Sequence, residues 1–372
     1  MTAHVLTGAT GLLGAALTLE LLQRTDAELI CLTRPGRAGA AARLTDTLRT
    51  AARSYGHADT LDTQIDKRCR AVAADLAEPL CGVVPARLPG RIENFWHCAA
   101  DLRYEDHHWE SLWRTNVEGT DNALALAEAL VCRTFTYIST AYVAGKRTGV
   151  LLEEPADPRQ TNNRYEDSKI MAERLVAKSA MTTRILRPSI IIGHSRTHAV
   201  IGGHSGLYGL QRRVANLRKM LSRLGTPEDL TRPLRVRVEP ETPINVVPVD
   251  LVATDAVAIS QSGTSATVFH LTHPRPMLLG PGFSRMFELA GLPAPLFTGD
   301  THGFTEIDHQ FDRKIVFFRS YMSGVKIFDQ TTLRENVPDS RLYGWDFQMS
   351  SLEQFYLWYF KHLERRDAPV PG

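Results

Sequence analysis

The stretch Thr7-Gly-Ala-Thr-Gly-Leu-Leu-Gly14 decides the fold, because its three glycines stand between an apolar run at residues 4–6 and a helical pattern at residues 12–23. Glycines at such a junction permit a tight turn, a close approach of the backbone to a pyrophosphate, and tight packing of helix against strand. The N–H groups at the start of the helix favour the same anion. A glycine triplet alone is a weak signal, and an ordinary glycine turn remains the alternative. Its placement predicts a dinucleotide-binding strand–turn–helix.

Short apolar runs alternate with helical patterns through the first half of the chain. Strands are predicted at residues 4–6, 28–33, 70–74, 92–98, 135–139 and 183–187, and helices at residues 12–23, 122–130 and 165–178. This alternation is typical of right-handed βαβ units. The predicted fold class is therefore α/β: a doubly wound parallel sheet (Rossmann) with a smaller, mostly helical C-terminal substrate lobe. We expect a dinucleotide-binding core at 1–190 and a mainly substrate-binding lobe at 191–372, with 243–272 returning to the core.

Composition narrows the classes of function. The chain has 372 residues, of which 43% are hydrophobic and 23% charged, as in ordinary soluble globular proteins. Its net charge of +2 is too small to indicate a nucleic-acid partner, and no run reaches the roughly 20 apolar residues that a membrane span needs. Five dispersed cysteines without a CxxC pair favour reduced thiols over a disulfide frame or a zinc site. With no signal-peptide pattern at the N-terminus, these features predict a cytoplasmic protein that holds no metal.

The residue that closes the second predicted strand selects between the two nicotinamide cofactors. An NAD site usually carries Asp or Glu there, which accepts hydrogen bonds from the ribose hydroxyls. This chain has Thr33-Arg-Pro-Gly-Arg37 instead. Arg34, helped by Arg37, can pair with a 2′-phosphate and stack on adenine, so the sequence favours NADPH. A solvated turn is the alternative for both arginines.

A hydroxyl, a tyrosine and a lysine form the candidate catalytic group. Tyr165 and Lys169 are four residues apart at the start of a predicted helix, so both project from one face. An ammonium near the phenol stabilises tyrosinate and lowers the pKa of the phenol towards neutrality. Ser139 and Thr140 end the predicted fifth strand, where a hydroxyl can bond the reacting oxygen of a substrate. The alternatives are that Thr140 caps the strand end and that Lys169 is a solvated charge.

Further stretches complete a resemblance to the extended short-chain dehydrogenase/reductase family between residue 4 and about residue 260. Besides the glycine loop, the matching stretches are Ala74-Asp75-Leu76, His97-Cys-Ala-Ala100, Asn116-Val-Glu-Gly-Thr120, Ile138-Ser-Thr-Ala-Tyr-Val143, Tyr165-Glu-Asp-Ser-Lys169, Arg187-Pro-Ser189 and Val247-Pro-Val-Asp250. The resemblance implies a catalytic triad of Thr140, Tyr165 and Lys169. With the loop and the two arginines, the candidate cofactor-binding residues are Gly8, Thr10, Gly11, Leu12, Leu13, Gly14, Arg34, Arg37, Asp75, Leu76, Ala99, Ala100, Asn116, Tyr165, Lys169, Pro188 and Ser189.

The resemblance also implies a role for each of these positions. Asp75 and Leu76 flank the adenine, and Ala99 and Ala100 line the dinucleotide. Asn116 supports the active-site helix. The pair Pro188-Ser189 borders the nicotinamide amide.

Short stretches are similar to one branch of that family, the thioester-reductase and fatty acyl-CoA reductase group. This branch includes the terminal reductase domains of carboxylic acid reductases and nonribosomal synthetases. The stretches are residues 8–14, 97–104, 245–250 and 328–336. Two features depart from the relatives. Residues 141–145 lack the Val-Tyr-Gly of sugar-nucleotide epimerases, and the long polar segment 146–164 makes the substrate mouth individual to this chain.

The leading functional hypothesis is an NADPH-dependent reductase that transfers hydride to the carbonyl of an acyl thioester, on CoA or a carrier protein, to give an aldehyde or alcohol. The alternative is an NADPH-dependent ketone or secondary-alcohol oxidoreductase that acts on a small secondary metabolite. An epimerase is disfavoured because it would prefer an acid at Arg34. A catalytically silent dinucleotide-binding regulator is disfavoured because Tyr165 and Lys169 are both retained.

An acyl carrier protein is the one macromolecular partner that the sequence suggests. The helical pattern at residues 210–224 has an apolar face and, opposite it, a basic face made of Arg212, Arg213, Lys219 and Arg223. Such a face suits a phosphopantetheine phosphate or an acidic carrier protein. A solvated helix face is the alternative.

Overall fold

The computed structural model describes residues 2–103, 105–202 and 206–367, so Tyr104 of the stretch 97–104 lies outside the described residues. The strands are β1 Ala3–Thr7, β2 Glu28–Thr33, β3 Cys69–Ala73, β4 Ile92–His97, β5 Thr134–Ile138, β6 Gly149–Leu151, β7 Thr182–Pro188, β8 Ile190–Ile192, β9 Arg235–Arg237, β10 Pro243–Ile244, β11 Val246–Pro248, β12 Val268–Leu271, β13 Met277–Leu278, β14 Leu296–Thr298 and β15 Lys326–Phe328.

The helices begin with α1, which follows the glycine loop. They are α1 Leu12–Arg24, α2 Gly39–Ser54, α3 Asp62–Arg68, α4 Trp109–Trp113, α5 Gly119–Ala129, α6 Arg164–Lys178, α7 Leu207–Leu224, α8 Pro227–Thr231, α9 Val249–Gln261, α10 Leu279–Leu289, α11 Glu306–Lys314, α12 Val316–Arg319, α13 Thr331–Asn336, α14 Arg341–Gly344 and α15 Met349–Asp367. A π-helical turn, Arg114–Glu118, leads into α5.

Within the described residues, seven strands form one sheet in the order β12–β7–β5–β4–β1–β2–β3, and every neighbouring pair is parallel. From β1 the chain first builds outward through β2 and β3, and then returns to build the other side from β4. The strand order therefore reverses between β1 and β4, and the crevice for a ligand in such sheets lies beyond the carboxyl ends of the strands at that point. The predicted doubly wound parallel sheet is confirmed.

Burial explains why the central strands could be predicted from the sequence. All residues of β1 and β5 are buried, as expected for parallel strands covered on both faces. The rings of Phe95 and Phe135 stack across β4 and β5 with centroids 5.3 Å apart. Helix α2 was missed, because its buried stripe consists only of Leu44, Leu48, Ala51 and Ala52 and gives a weak apolar period.

The chain divides into two compact units. The first comprises Met1–Gly203, Val247–Pro274 and Ile327–Gly344, and the second comprises His204–Val246, Arg275–Lys326 and Trp345–Gly372. In the second unit α7 packs on α10 and α15, and Gln211 Nε2 donates to the Tyr356 carbonyl oxygen at 2.6 Å. Among the described residues, no helix combines the length and the apolarity that crossing a membrane requires.

Candidate active site

The glycine loop between β1 and α1 is shaped so that only glycine fits at two positions. Gly8 has φ +73°, and a Cβ there would lie 2.7 Å from the Ala99 amide nitrogen. A Cβ on Gly14 would lie 2.1 Å from the Gly8 carbonyl oxygen. Gly11 precedes α1 and supplies no side-chain cap, so the first N–H groups of α1 face the loop without a protein acceptor from that residue. This cradle fits a dinucleotide phosphate.

Helix α6 brings the lysine under the end of β5. Asn163 caps the helix by accepting a hydrogen bond from the Glu166 amide at 3.1 Å, which sets Tyr165 in its first turn. Lys169 Nζ donates to the Ile138 carbonyl oxygen at 2.7 Å and lies 4.2 Å from the ring centroid of Tyr137. Burial of the ammonium lowers the pKa of Lys169 to about 7.

The pKa of Tyr165 is shifted in the direction opposite to the one predicted from the sequence. The sequence predicted that Lys169 would lower its pKa, but in the structure burial, followed by the neighbouring Glu166 carboxylate, raises the pKa of Tyr165 above its ordinary value. Lys169 directs its ammonium to a carbonyl oxygen and an aromatic face, and desolvation of the phenol is the larger effect. Tyr165 is consequently protonated at neutral pH in this structure, which suits a proton donor.

Two hydroxyls follow β5 at the ligand edge of the sheet. The strand ends at Ile138, one residue earlier than predicted. Thr140 is buried, and its Oγ1 accepts from the Tyr142 amide at 3.2 Å, so it does cap the short turn Ala141–Ala144. Because that oxygen accepts, its own proton is left to donate. The buried Ser139 Oγ has no hydrogen-bond partner among the described residues.

The arginines after β2 lie at the surface. Arg34 and Arg37 are both exposed. A third exposed arginine, Arg43 on α2, donates from Nη1 to the Arg34 carbonyl oxygen at 3.0 Å. Sequence reasoning missed Arg43 because it had not predicted the helix that carries it. After β3, Asp75 Oδ1 accepts from the Ala77 amide at 3.0 Å and so holds its own turn.

Asn116 connects the loop after β4 to α6. Its Oδ1 accepts from the Asp101 amide at 2.7 Å, and its Nδ2 donates to the Asp101 carbonyl oxygen at 2.9 Å and to Ser168 Oγ at 3.0 Å. Asn116 thus joins the loop after β4 to α6 through its bond to Ser168, and its support of an active-site helix stays a prediction.

The remaining candidate residues follow the carboxyl ends of neighbouring strands. Ala99 and Ala100 are half-buried after β4, and the Ala99 amide donates to Thr7 Oγ1 at 3.2 Å. Pro188 ends β7, and Ser189 is buried just beyond it. The carboxyl ends of these parallel strands lie at one edge of the sheet. Ala99, Ala100, Pro188 and Ser189 follow β4 and β7 on one side of the switch point, and Arg34, Arg37 and Asp75 follow β2 and β3 on the other.

Comparison with known proteins identifies the family to which the chain is similar. A family model described as "Male sterility protein", with an NAD-binding domain, matches residues 6–256. Isonitrile lipopeptide synthase of Streptomyces coeruleorubidus is 33% identical over 284 residues, which is 73% of this chain and 18% of that protein. The chain spans only 4%, 18% and 21% of the length of three curated relatives that it matches.

Solved structures share the fold. The terminal R domain from the myxalamid PKS-NRPS biosynthetic pathway has a TM-score of 0.77 at 24% identity, over 100% of this chain and 93% of that one. A thiolation-reductase di-domain from an archaeal non-ribosomal peptide synthetase has a TM-score of 0.69 at 17% identity, over 98% of this chain and 76% of that one. With the family match and the glycine loop, these findings confirm the predicted resemblance: the chain belongs to the male sterility protein family of extended short-chain dehydrogenases/reductases.

Proposed function

We propose that this protein is an NADPH-dependent reductase of acyl thioesters, carried on CoA or on a carrier protein, that yields an aldehyde or an alcohol. The observation that carries the proposal is the arrangement of the glycine loop, Thr140, Tyr165 and Lys169 along one edge of the parallel sheet. The thioester substrate is supported by the likeness to an isonitrile lipopeptide synthase and to structures described as a terminal R domain and a thiolation-reductase di-domain.

The side chains of the site suit a proton-assisted reduction. NADPH, when bound, supplies the hydride. Thr140 donates a hydrogen bond to the carbonyl oxygen of the thioester, on which negative charge develops. Tyr165, protonated at neutral pH, transfers its proton to that oxygen. Lys169, one helical turn after Tyr165, keeps its ammonium on the Ile138 carbonyl oxygen and adds positive charge to this end of the sheet.

The first product is a hemithioacetal, whose collapse breaks the carbon–sulfur bond. The thiolate leaves with the electron pair of that bond and is protonated, and the aldehyde remains. A second hydride and proton convert the aldehyde to an alcohol. One NADPH is therefore consumed per thiol released when reduction stops at the aldehyde, and two when it continues.

The exposed arginines support the choice of NADPH over NADH. Arg34 and Arg37 offer guanidinium groups at the point where an NAD enzyme would carry an acid. Arg43 adds a third positive charge to the same turn. A planar guanidinium matches the geometry of a ribose 2′-phosphate.

The second unit is proposed to bind a carrier protein. Helix α7 carries no acidic residue, and its Arg212, Lys219 and Arg223 are exposed. Arg213 instead lies over the ring of Phe318 at 5.5 Å. A thiolation domain joined to a reductase of the same fold supports the carrier as partner.

A three-substrate assay tests the proposal. The protein is incubated with NADPH or NADH and with octanoyl-CoA, octanoyl-N-acetylcysteamine or 2-octanone, and cofactor oxidation, free thiol and trapped aldehyde are measured. We expect thiol and aldehyde to appear together with NADPH oxidation. Oxidation of NADPH with the ketone alone, without release of thiol from either thioester, would instead support the ketone reductase alternative.

A further inference from the structure

A buried chain of hydrogen bonds links the glycine loop to α6, and the mechanism above does not use it. At the loop end, the amides of Cys98 and Ala99 each donate to Thr7 Oγ1 at 3.2 Å. The same hydroxyl lies 2.8 Å from His97 Nδ1. Across the imidazole, Nε2 lies 3.0 Å from Thr120 Oγ1. His97 thus bridges two threonine hydroxyls.

The imidazole of His97 is neutral in this setting. Its side chain is fully buried, and its ring stacks on Tyr137 with centroids 5.7 Å apart. Burial, and then the nearby Lys169, lower the pKa of His97 to about 3. One ring nitrogen therefore carries a hydrogen and the other accepts.

The partners fix which nitrogen is protonated. Thr120 Oγ1 donates its single proton to the Asn116 carbonyl oxygen at 2.6 Å, so it can only accept from His97. Nε2 of His97 is consequently the protonated nitrogen, and Nδ1 accepts the proton of Thr7. Thr7 Oγ1 uses its two lone pairs for the amides of Cys98 and Ala99. Changing the tautomer would break the chain on both sides of the ring.

The chain continues from Asn116 to the catalytic helix. Asn116 Nδ2 donates to Ser168 Oγ at 3.0 Å, and Ser168 Oγ donates to the Tyr165 carbonyl oxygen at 2.7 Å. Asn116 belongs to the π-helical turn, and Ser168 lies one turn after Tyr165 on α6. The path therefore ends on the backbone of the residue that gives the proton.

We propose that His97 is a positioning residue that, as the neutral Nε2–H tautomer, ties the glycine loop to the backbone of Tyr165. The proposal rests on the proposed function only in treating Tyr165 as the proton donor. The hydrogen bonds on the two sides of His97 have separate consequences. The Thr7 side sets the loop that receives the dinucleotide, and the Thr120 side sets the position of the phenol relative to that loop.

Matched threonine variants separate the two halves. Thr7→Val is expected to weaken NADPH binding at least about fivefold, because it removes the hydroxyl that accepts from the Cys98 and Ala99 amides and donates to His97. Thr120→Val is expected to keep the NADPH affinity and the KM for octanoyl-CoA but to lower kcat about tenfold, because small misplacements of a catalytic group are costly. Thr120→Ser keeps both hydrogen bonds and should restore kcat.

Thr136→Val is the control for the loss of a buried threonine hydroxyl. Thr136 is buried on β5 and donates to Asn94 Oδ1 at 3.0 Å, outside the chain. NADPH binding is followed by its fluorescence, and kcat by single turnover. Equal changes of affinity and kcat in the Thr7→Val and Thr120→Val variants, or a Thr136→Val variant that behaves like Thr120→Val, would reduce His97 to a general packing residue and overturn the proposal.

A spectroscopic readout tests the tautomer without any substrate. In the ¹⁵N spectrum of the histidine-labelled full chain, the His97 signals are assigned by their loss in His97→Gln. We expect a protonated Nε2 and an unprotonated Nδ1 that do not change between pH 5.5 and 8. A protonated Nδ1, or titration in that range, would overturn the proposal. Failure of thioester turnover would leave this result intact and would count against the proposed function alone.

Discussion

The two halves of the candidate dinucleotide site are built in opposite ways. At the ends of β4 and β5, His97, Thr140 and Lys169 are buried, and protein hydrogen bonds hold each of them. After β2, Arg34 and Arg37 are exposed. Burial shifts pKa values, and buried groups tolerate only small displacements. Exposed charges interact through solvent and are screened by salt. Under the proposed function, the chemistry therefore depends on the buried half, and the exposed half tunes cofactor choice.

Removal of the phenol hydroxyl should give the largest effect in the buried half. Tyr165→Phe is expected to lower kcat about 10³-fold, since a positioned general acid contributes roughly 10²–10⁴. NADPH affinity should stay unchanged because the ring remains. Tyr55→Phe is the matched control, because Tyr55 is a buried tyrosine that stacks on His194 with ring centroids 5.1 Å apart, in another part of the first unit. A Tyr165→Phe enzyme as fast as Tyr55→Phe would remove Tyr165 from the mechanism.

A pair of glycine-to-alanine substitutions tests how strictly each half of the candidate dinucleotide site depends on its backbone conformation. Gly8 and Gly39 both have positive φ, +73° and +87°, so alanine costs each about 1 kcal/mol of backbone strain. A Cβ on Gly8 would also meet the Ala99 and Cys98 backbone below 3.0 Å, whereas a Cβ on Gly39 meets nothing within 4 Å. We expect Gly8→Ala to weaken NADPH binding about 100-fold, the equivalent of nearly 3 kcal/mol.

Gly39→Ala should shift the melting temperature by a few degrees and change the NADPH affinity by less than about threefold. Calorimetric titration and thermal unfolding of both variants give the comparison. A loss of binding in Gly39→Ala as large as in Gly8→Ala would mean that the exposed half is as shape-dependent as the loop.

The fold was predictable from sequence where burial leaves a continuous signal. The strand at 28–33 was predicted at its observed bounds, because β2 is apolar and covered by helices. The glycine loop was predictable because close backbone approach excludes every other residue at Gly8 and Gly14. Helix α2 was not, since alanine fills half of its short buried stripe.

The site was predictable as a set of residue types but not as a set of protonation states. Spacing alone put Tyr165 and Lys169 on one face of a helix. The direction of their pKa shifts depends on desolvation, which only packing reveals. The hydrogen bonds from His97 through Thr120 to Asn116 connect β4 to α5. No local pattern in the sequence predicts such a contact.

The pKa of Lys169 gives the pH dependence of the buried half. Burial lowers it to about 7, so the ammonium is present below pH 7 and is lost above it. We expect kcat/KM to fall about tenfold per pH unit above 7, because this parameter reports the free enzyme. The unfolded chain keeps the proton up to about pH 10.4, so this group makes stability rise with pH between the two values.

Lys169→Arg supplies the control for that profile. A guanidinium keeps its charge throughout the range, so whatever activity this variant retains should not fall above pH 7. A wild-type profile that is flat from pH 6 to 9 would contradict the assignment of the charge to Lys169.

Substitutions in the exposed half should change the affinity for NADPH and its dependence on salt. These changes should be the smallest of those predicted here for the dinucleotide site. Arg34→Ala is expected to weaken NADPH binding about tenfold, since a charge-assisted hydrogen bond at an exposed site contributes roughly 1.5 kcal/mol. NADH binding should stay unchanged, because NADH has no 2′-phosphate. Arg43→Ala should act more weakly, since Arg43 Nη1 is engaged by the Arg34 carbonyl oxygen.

The control is Arg24→Ala, since Arg24 is an exposed arginine paired with Glu20 at 2.6 Å on α1. Affinities for both cofactors, measured at low and high ionic strength, separate the possibilities. Salt should weaken NADPH binding to the wild type more than to Arg34→Ala, because screening removes the same charge interaction that the substitution deletes. Equal losses for NADPH and NADH in Arg34→Ala would mean that Arg34 shapes the turn instead of binding a phosphate, and the contrast between a shape-dependent half and a charge-dependent half would then disappear.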